Sequence, residues 1–218
     1  MTWRPGPTKI IRRVTVSLLF LFLSSCMGSG SGTNIMLRSA SPHITNSDEL
    51  FRQPPNCVII MPLVGDVVID NAKIVETVVA RHFSQRLSRI VDPTERRTLE
   101  RHGAYNLSDP VELRRFARML GCGYGLEIIV HAAADTYGLI WAWRHFDLTL
   151  TLVRIGDERV IWSARHALNR SAGGLPTGPL SLVLDSARAA SFASNHDGNE
   201  ALVEDVVRQT VQGFPDLR

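Results

Sequence analysis

Hydrophobic positions along the chain change their spacing several times, and each change predicts a structural element. The continuous apolar run Cys57–Met61 predicts a short strand buried on both faces, and Pro62 ends it. From Asn71 to Ile90, apolar residues recur mainly every four residues, which predicts an amphipathic helix of about five turns. The pair Ile90–Val91 is then apolar and β-branched, and it predicts a very short second strand.

Two segments that follow carry the same helix-start signal. Asp92 and Asp109 are each followed by Pro, and each has Glu three residues later, a variant of the capping box. The predicted helices end at Gly103 and Gly121, where a left-handed residue is favoured. The first has little besides Leu99 to bury and is predicted on the surface, whereas the second has one apolar face.

After these helices the apolar residues alternate with polar ones, which predicts an antiparallel meander with one covered face. The predicted strands are Leu126–Ala132, Leu139–Val153 and Arg159–Ala164, and two helices, Leu180–Ala193 and Ala201–Gln212, close the chain. The order is β-α-(β)-α-α-β-β-β-α-α. The predicted fold class is therefore α/β (α+β), a mixed sheet with helices covering it.

The amino-terminal pattern is of a different kind. Only positive charges precede the apolar run Val14–Leu23, and small residues follow it, which is the layout of an export signal. The run is too short to span a bilayer, because a spanning helix needs roughly 20 apolar residues. The ending Leu23-Ser24-Ser25-Cys26 resembles the lipobox of bacterial lipoprotein precursors.

That resemblance implies a modified amino terminus at Cys26. The thiol would receive diacylglycerol, a peptidase would cut before the residue, and a fatty acid such as palmitate would acylate the new amino group. Met27 stands where Asp would signal inner-membrane retention, so the expected location is the outer membrane, facing the periplasm. The alternatives are an ordinary signal peptide with an unmodified Cys, or a short anchor that is not cut.

Removal of a signal peptide changes the charge of the chain. Four of the 24 Lys and Arg residues precede Cys26 and none of the 21 Asp and Glu residues does, so the mature chain carries a formal net charge of −1. The basic character belongs to the precursor and gives no support for a nucleic-acid partner. The predicted organisation is a signal peptide at 1–25, a lipidated flexible tether at 26–55 and one periplasmic domain at 56–214.

Two cysteines remain in the predicted domain. Cys57 and Cys122 each precede an apolar strand, and parallel neighbouring strands would bring these ends together in an oxidising compartment. A disulfide and a pair of buried free thiols both fit this pattern.

A second resemblance covers about Cys57 to Ala167. The features are a short strand ended by Pro62, two helices, the segment Leu120-Gly121-Cys122-Gly123-Tyr124-Gly125-Leu126, and a final hairpin strand Gly156-Asp157-Glu158-Arg159-Val160-Ile161-Trp162. They resemble a group of envelope lipoproteins that includes the curli secretion channel, penicillin-binding-protein activators and the ring-forming lipoprotein of Pel export. The resemblance implies protein partners in the envelope and association of identical copies. The extra hairpins of the curli channel are absent from this sequence.

Chemical motifs are few. Gly121, Gly123 and Gly125 lack the spacing of a dinucleotide fingerprint, and they close a helix instead of opening one. If the hairpin turn centres near Gly156-Asp157, Asp147 comes opposite His166, and His145 lies diagonally adjacent to His166 on the same face. These three residues are a weak candidate metal site. The alternative is a solvated sheet face, because a register error of one residue would separate the three. No cofactor is expected.

Two groups of surface residues are candidates for protein contact. They are the arginines of the second capped helix and the aromatic residues near the start of the second long strand, namely Arg114, Arg115, Arg118, Tyr137, Trp141 and Trp143. The alternatives are an ordinary charged helix face and core packing.

Together these features predict a lipid-anchored outer-membrane lipoprotein. It would act as a non-catalytic accessory or scaffold in envelope assembly or export and would bind protein partners, including copies of itself. One alternative is a monomeric module that activates a peptidoglycan synthase, and another is a metal-dependent periplasmic enzyme.

Overall fold

The computed structural model describes residues 38–39, 41–65, 69–137, 141–173, 183–184, 186–187, 189–191 and 197–218. All of them belong to one compact unit, Ile35–Arg218. The strands are β1 (Arg38–Ser39), β2 (His43–Asn46), β3 (Val58–Gly65), β4 (Ile90–Val91), β5 (Tyr124–Tyr137), β6 (Trp141–Arg154) and β7 (Arg159–Gly173). The helices are α1 (Glu49–Arg52), α2 (Ile69–Ser84), α3 (Pro93–Gly103), α4 (Pro110–Leu120) and α5 (Asp197–Val211).

One mixed sheet organises these elements. Its order is β1-β7-β6-β5-β3-β4, and β2 also pairs with β7. β3 is parallel to β4 and β5, whereas β5, β6 and β7 form the antiparallel meander expected from their alternating pattern. The predicted fold class is confirmed. Of the helix predicted at Leu180–Ala193, the described residues 183–184, 186–187 and 189–191 are helical.

Two apolar clusters lie on opposite faces of the sheet. On one face, α2 and α5 cover the central strands, and the largest buried side chain there is Trp162, which packs edge-on against Phe83 and Phe214. On the other face, Phe116 and Ala117 of α4 pack on the beginning of β3. The second cluster reaches only the β3 end of the sheet.

The capped helices begin where the sequence predicts. The Asp92 carboxylate accepts hydrogen bonds from the backbone of Thr94 and Glu95, at 2.7 and 3.0 Å, and Asp109 caps α4 through Val111. Gly121 ends α4 with a left-handed φ of 66°. These caps fix the direction in which α4 leaves the sheet.

The tether predicted at 26–55 is too long. β2, within that range, pairs with β7, and Leu50 of α1 is fully buried in the main core. The domain therefore begins ahead of residue 56. The pattern did not reveal this edge strand because all four residues of β2 are exposed and only Ile44 among them is apolar.

An irregular β3 explains a second difference. The pairing of β3 with β5 shifts between Ile60 and Leu63, around Pro62. The Ile60 carbonyl accepts a hydrogen bond from Arg96 at 2.5 Å, and the Leu63 amide donates to Glu76 at 3.0 Å. The prediction that α3 has little to bury was therefore wrong, because Arg96 is 2% exposed.

Candidate functional site

A groove runs between α4 and the part of the sheet that α4 leaves open. It consists of two hollows of about 640 and 600 Å³, which meet because Arg114 and Ile155 line both. The first hollow lies beside the carboxyl half of α4 and the Gly156 turn, and the second lies above β3, β5 and β6. Apolar residues of the second include Met61, Val64, Leu107, Leu113, Ile129, Val153, Ile155 and Val160.

Strand alternation places the floor of this groove. Leu126, Ile128 and Val130 of β5 belong to the main core, so Glu127 and Ile129 between them face the opposite side. The rim is apolar and open to solvent, since Val64 and Val160 are 64% and 49% exposed. The groove therefore offers apolar surface that the described residues leave uncovered.

An ion pair crosses the groove between α4 and the β6–β7 turn. The Arg114 guanidinium lies 3.3 Å from the Glu158 carboxylate. Glu158 has a φ of 58°, in the left-handed region that is uncommon for residues other than Gly. This conformation closes the turn after Gly156 and Asp157. Arg154, the second arginine that lines the second hollow, pairs with Glu49 and with Asp157.

Glu127 is the carboxylate of the lining that has no cationic partner among the described residues. Burial raises the pKa of Glu127, and the negative charge of Glu158 raises it further. Both causes disfavour the charged form, because the carboxylate loses water and faces a like charge. The charges and the apolar rim together suit a docking surface for another polypeptide. Strand alternation is the only sequence signal that points to Glu127, and it does not extend to Glu158, which lies in the turn.

The structure separates the three candidate metal ligands. His166 pairs with Leu148 and is 2% exposed on the helix-covered face, whereas Asp147 pairs with Ala167 on the other face. His145 lies on the Asp147 face and is hydrogen-bonded to Asn169. Across the described ranges, no group of three His, Cys, Asp or Glu residues is arranged to hold a metal. The weak candidate cluster is therefore wrong, because only His145 and Asp147 share a face.

The cause of this error is one β-bulge. Near the turn, Val153 pairs with Val160, as a tight hairpin predicts, but Leu152 pairs with Trp162. The extra residue Ile161 moves the rest of β7 by one position. A shift of one residue turns every side chain to the opposite face, and His166 leaves the Asp147 side.

Asp147 instead forms a two-pronged ion pair with Arg165, at 3.1 and 2.6 Å. The hydrogen bonds from Arg165 lower the pKa of Asp147. A lowered carboxyl pKa stabilises the fold above the unfolded pKa of about 3.9, and this contribution is lost as the pH falls through the folded value. The pair is therefore a pH-dependent contact between β6 and β7.

We expect Asp147→Asn to lower the urea midpoint of unfolding at neutral pH. The difference from the wild type should shrink steadily below about pH 4, because the wild-type carboxyl then also becomes neutral. Urea unfolding at several pH values measures this, with Glu95→Gln on the exposed side of α3 as the control. A difference that is the same at every pH would contradict the ion pair.

The residues predicted to contact partner proteins lie in different environments. Arg114 and Arg118 line the groove. The Arg115 guanidinium lies over the Tyr105 ring, 5.7 Å from its centroid, and is 3.8 Å from the Glu112 carboxylate. Trp143 is half-buried and its ring stacks on His145, with centroids 5.4 Å apart. The side chains of Tyr137 and Trp141 lie outside the described residues, as does Cys26.

The two cysteines of the domain form a disulfide. The parallel pairing of β3 and β5 places Val58 beside Tyr124. Cys57 lies one residue before Val58 and Cys122 two residues before Tyr124, and their Cα atoms are 4.9 Å apart. Both are buried. Cys122 also lines the groove, so the bond fixes one end of the groove to β3.

The solved structures similar in fold to this chain include bacterial lipoproteins, which is the class predicted from the sequence. Lipoprotein GNA1162 from Neisseria meningitidis is 16% identical with a TM-score of 0.47, over 65% of this chain and 100% of that one. The PelC dodecamer from Paraburkholderia phytofirmans is 16% identical with a TM-score of 0.41, over 80% and 97%. The LpoB C-terminal domain from Salmonella enterica is 14% identical with a TM-score of 0.37, over 52% and 82%.

These similarities concern the fold alone. No family model matches the sequence, and no curated protein matches it. Within the described part of the chain, no helix is both long enough and apolar enough to cross a membrane.

Proposed function

We propose that this chain is a lipid-anchored outer-membrane lipoprotein that faces the periplasm and serves envelope assembly or export without catalysing a reaction. Its domain would act as an accessory or scaffold by holding a segment of another envelope protein in the groove beside α4. The observation that carries this proposal is the groove itself, which combines an exposed apolar rim at Val64 and Val160 with charged groups at its floor.

The amino-terminal sequence supports the location. A charged start, a short apolar run and the ending at Cys26 agree with a lipoprotein signal. Each buried CH₂ contributes about 0.8 kcal/mol, so more than one acyl chain gives a stable attachment. Labelled palmitate should therefore enter the full chain in cells, and Cys26→Ala should abolish the label. Label that persists in this variant would refute the proposed anchor.

The groove is suited to docking because its walls are held apart by fixed elements. The Cys57–Cys122 disulfide joins β3 to the end of α4, and Phe116 and Ala117 hold α4 on the sheet. A preformed site loses less conformational entropy on binding than a mobile one. The enzyme alternative has no comparable support, since its proposed ligands Asp147 and His166 lie on opposite faces.

Site-specific photocrosslinking in cells tests docking directly. A photoreactive residue at Val64 of the full chain should give one discrete adduct, whereas the same residue at the exposed Glu200 of α5 should not. Val160→Lys, which changes the opposite rim, should remove the adduct at Val64. If the two positions give the same pattern, or if Val160→Lys has no effect, the groove is not the docking site.

A further inference from the structure

In the second hollow, one charged side chain has no partner of opposite charge among the described residues. Arg114 is paired with Glu158, and Arg154 is paired with Glu49 and Asp157, so both arginines of the lining already have carboxylate partners. Glu127 has none among the described residues. The unpaired carboxylate therefore stands on the floor of a groove whose remaining lining is largely apolar.

The Glu127 side chain is exposed to solvent within the groove, so its carboxylate is accessible to a ligand, and the arrangement favours one kind of ligand group. A partly desolvated carboxylate close to a second carboxylate is stabilised by an added cation. Lys and Arg side chains have long apolar stems that pack along surfaces such as Ile129 and Val160 while the charged head reaches an acid. Apolar neighbours in the same segment would contact Val64 and Val153.

We propose that Glu127 binds a Lys or Arg side chain presented by an extended, otherwise apolar segment of a partner protein. This inference rests on the proposed docking function and adds the chemistry of the occupant. Charge complementarity at Glu127 selects it, because a carboxylate that has no cationic partner among the described residues attracts a cation and repels an anionic group. The apolar lining selects a polypeptide segment over a small hydrophilic cation, since its side chains would otherwise stay uncovered.

Selection from a random peptide library tests the inference without assuming a sequence. The target is the full chain in detergent micelles, with Glu127→Gln and Val160→Lys as variants and Glu95→Gln on α3 as the matched control. Peptides selected by the wild type and by Glu95→Gln should be enriched in Lys or Arg between apolar residues. Glu127→Gln should lose this enrichment, and Val160→Lys, which supplies its own cation, should select no groove peptide.

The binding affinities of the selected peptides then test the contact between Glu127 and the Lys or Arg of the peptide. Replacing the selected Lys or Arg by Met in the peptide should weaken binding to the wild type about tenfold and should leave binding to Glu127→Gln unchanged. Equal weakening for both proteins, or enrichment of acidic peptides, would overturn the inference. Unchanged urea midpoints of both variants establish that each is folded.

The outcomes separate this inference from the proposed function. The selected peptides could be apolar, without enrichment in Lys or Arg, and fail to bind Val160→Lys. This outcome would support the groove as the docking site and would contradict the role of Glu127. Peptides that bind the wild type and Val160→Lys equally would contradict both the proposed docking function and the role of Glu127. Light scattering that shows association of the chain with itself, lost in Val160→Lys, would make a second copy the occupant and would also overturn the inference.

Discussion

Reduction of the Cys57–Cys122 disulfide should lower the free energy of unfolding by about 4 kcal/mol. The bond closes a loop with a sequence separation of 65 residues that contains β3, α2, β4, α3 and α4. Without the bond, the unfolded chain gains conformational entropy, and the chain-entropy relation gives about 4 kcal/mol for a loop of this length. Urea unfolding of the full chain with and without reductant measures the effect.

The double variant Cys57→Ala, Cys122→Ala provides the control. It should unfold at a urea concentration close to that of the reduced wild type and should not respond to reductant. Because both cysteines are buried, reductant should act on the wild type mainly after unfolding. A wild-type midpoint that does not move after complete reduction would contradict the prediction.

The bond also connects stability with the proposed route of export. Disulfides form in the periplasm and are rare in the cytosol, so a chain retained in the cytosol would lack this one. The signal sequence ending at Cys26 would direct the chain to the compartment in which the bond forms.

Periodicity predicted most of the fold because most elements here bury one continuous face. The stripe that includes Val75, Val79 and Phe83 identified α2, and the alternation in β6 identified the meander. The predicted meander strands were nevertheless shorter than β5 and β7. The sequence Ala132-Ala133-Ala134-Asp135 has little alternation, although strand pairing with β6 continues through it.

Features that depend on register or on the backbone were not predictable in this way. No residue pattern marks the bulge at Ile161, yet it decides on which face His166 lies. The groove likewise depends on where α4 crosses the sheet, which residue spacing does not specify. Glu127 is one polar position of an alternating strand, and only the packing of α4 makes it part of a site.

The burial of Arg96 is another such case, and it leads to the second large prediction. Glu76→Ala should lower the free energy of unfolding by about 3–5 kcal/mol, the cost of breaking a buried ion pair by removing one of its partners. Glu76 is 5% exposed and accepts hydrogen bonds from Leu63, from Arg96 at 3.0 Å and from Arg97 at 2.5 Å. Its removal would leave Arg96 with the Ile60 carbonyl and with Glu100 at 3.2 Å.

Arg96 and Arg97 should contribute unequally to the free energy of unfolding. Arg96→Ala should be nearly as harmful as Glu76→Ala, whereas Arg97→Ala should cost about 1 kcal/mol or less, because the Arg97 side chain is 36% exposed. The double variant Glu76→Ala, Arg96→Ala should lose less than the sum of the single losses, since removing both charges leaves neither unpaired.

Urea unfolding of the four variants measures these differences, and the comparison of Arg96 with Arg97 is the decisive one. Equal losses for the two arginines would mean that the exposed pair matters as much as the buried one. A loss below about 1 kcal/mol for Glu76→Ala would show that water or another side chain satisfies Arg96. The expected result follows from β3, because the Leu63 amide and the Ile60 carbonyl, on either side of its irregularity at Pro62, are hydrogen-bonded to Glu76 and to Arg96.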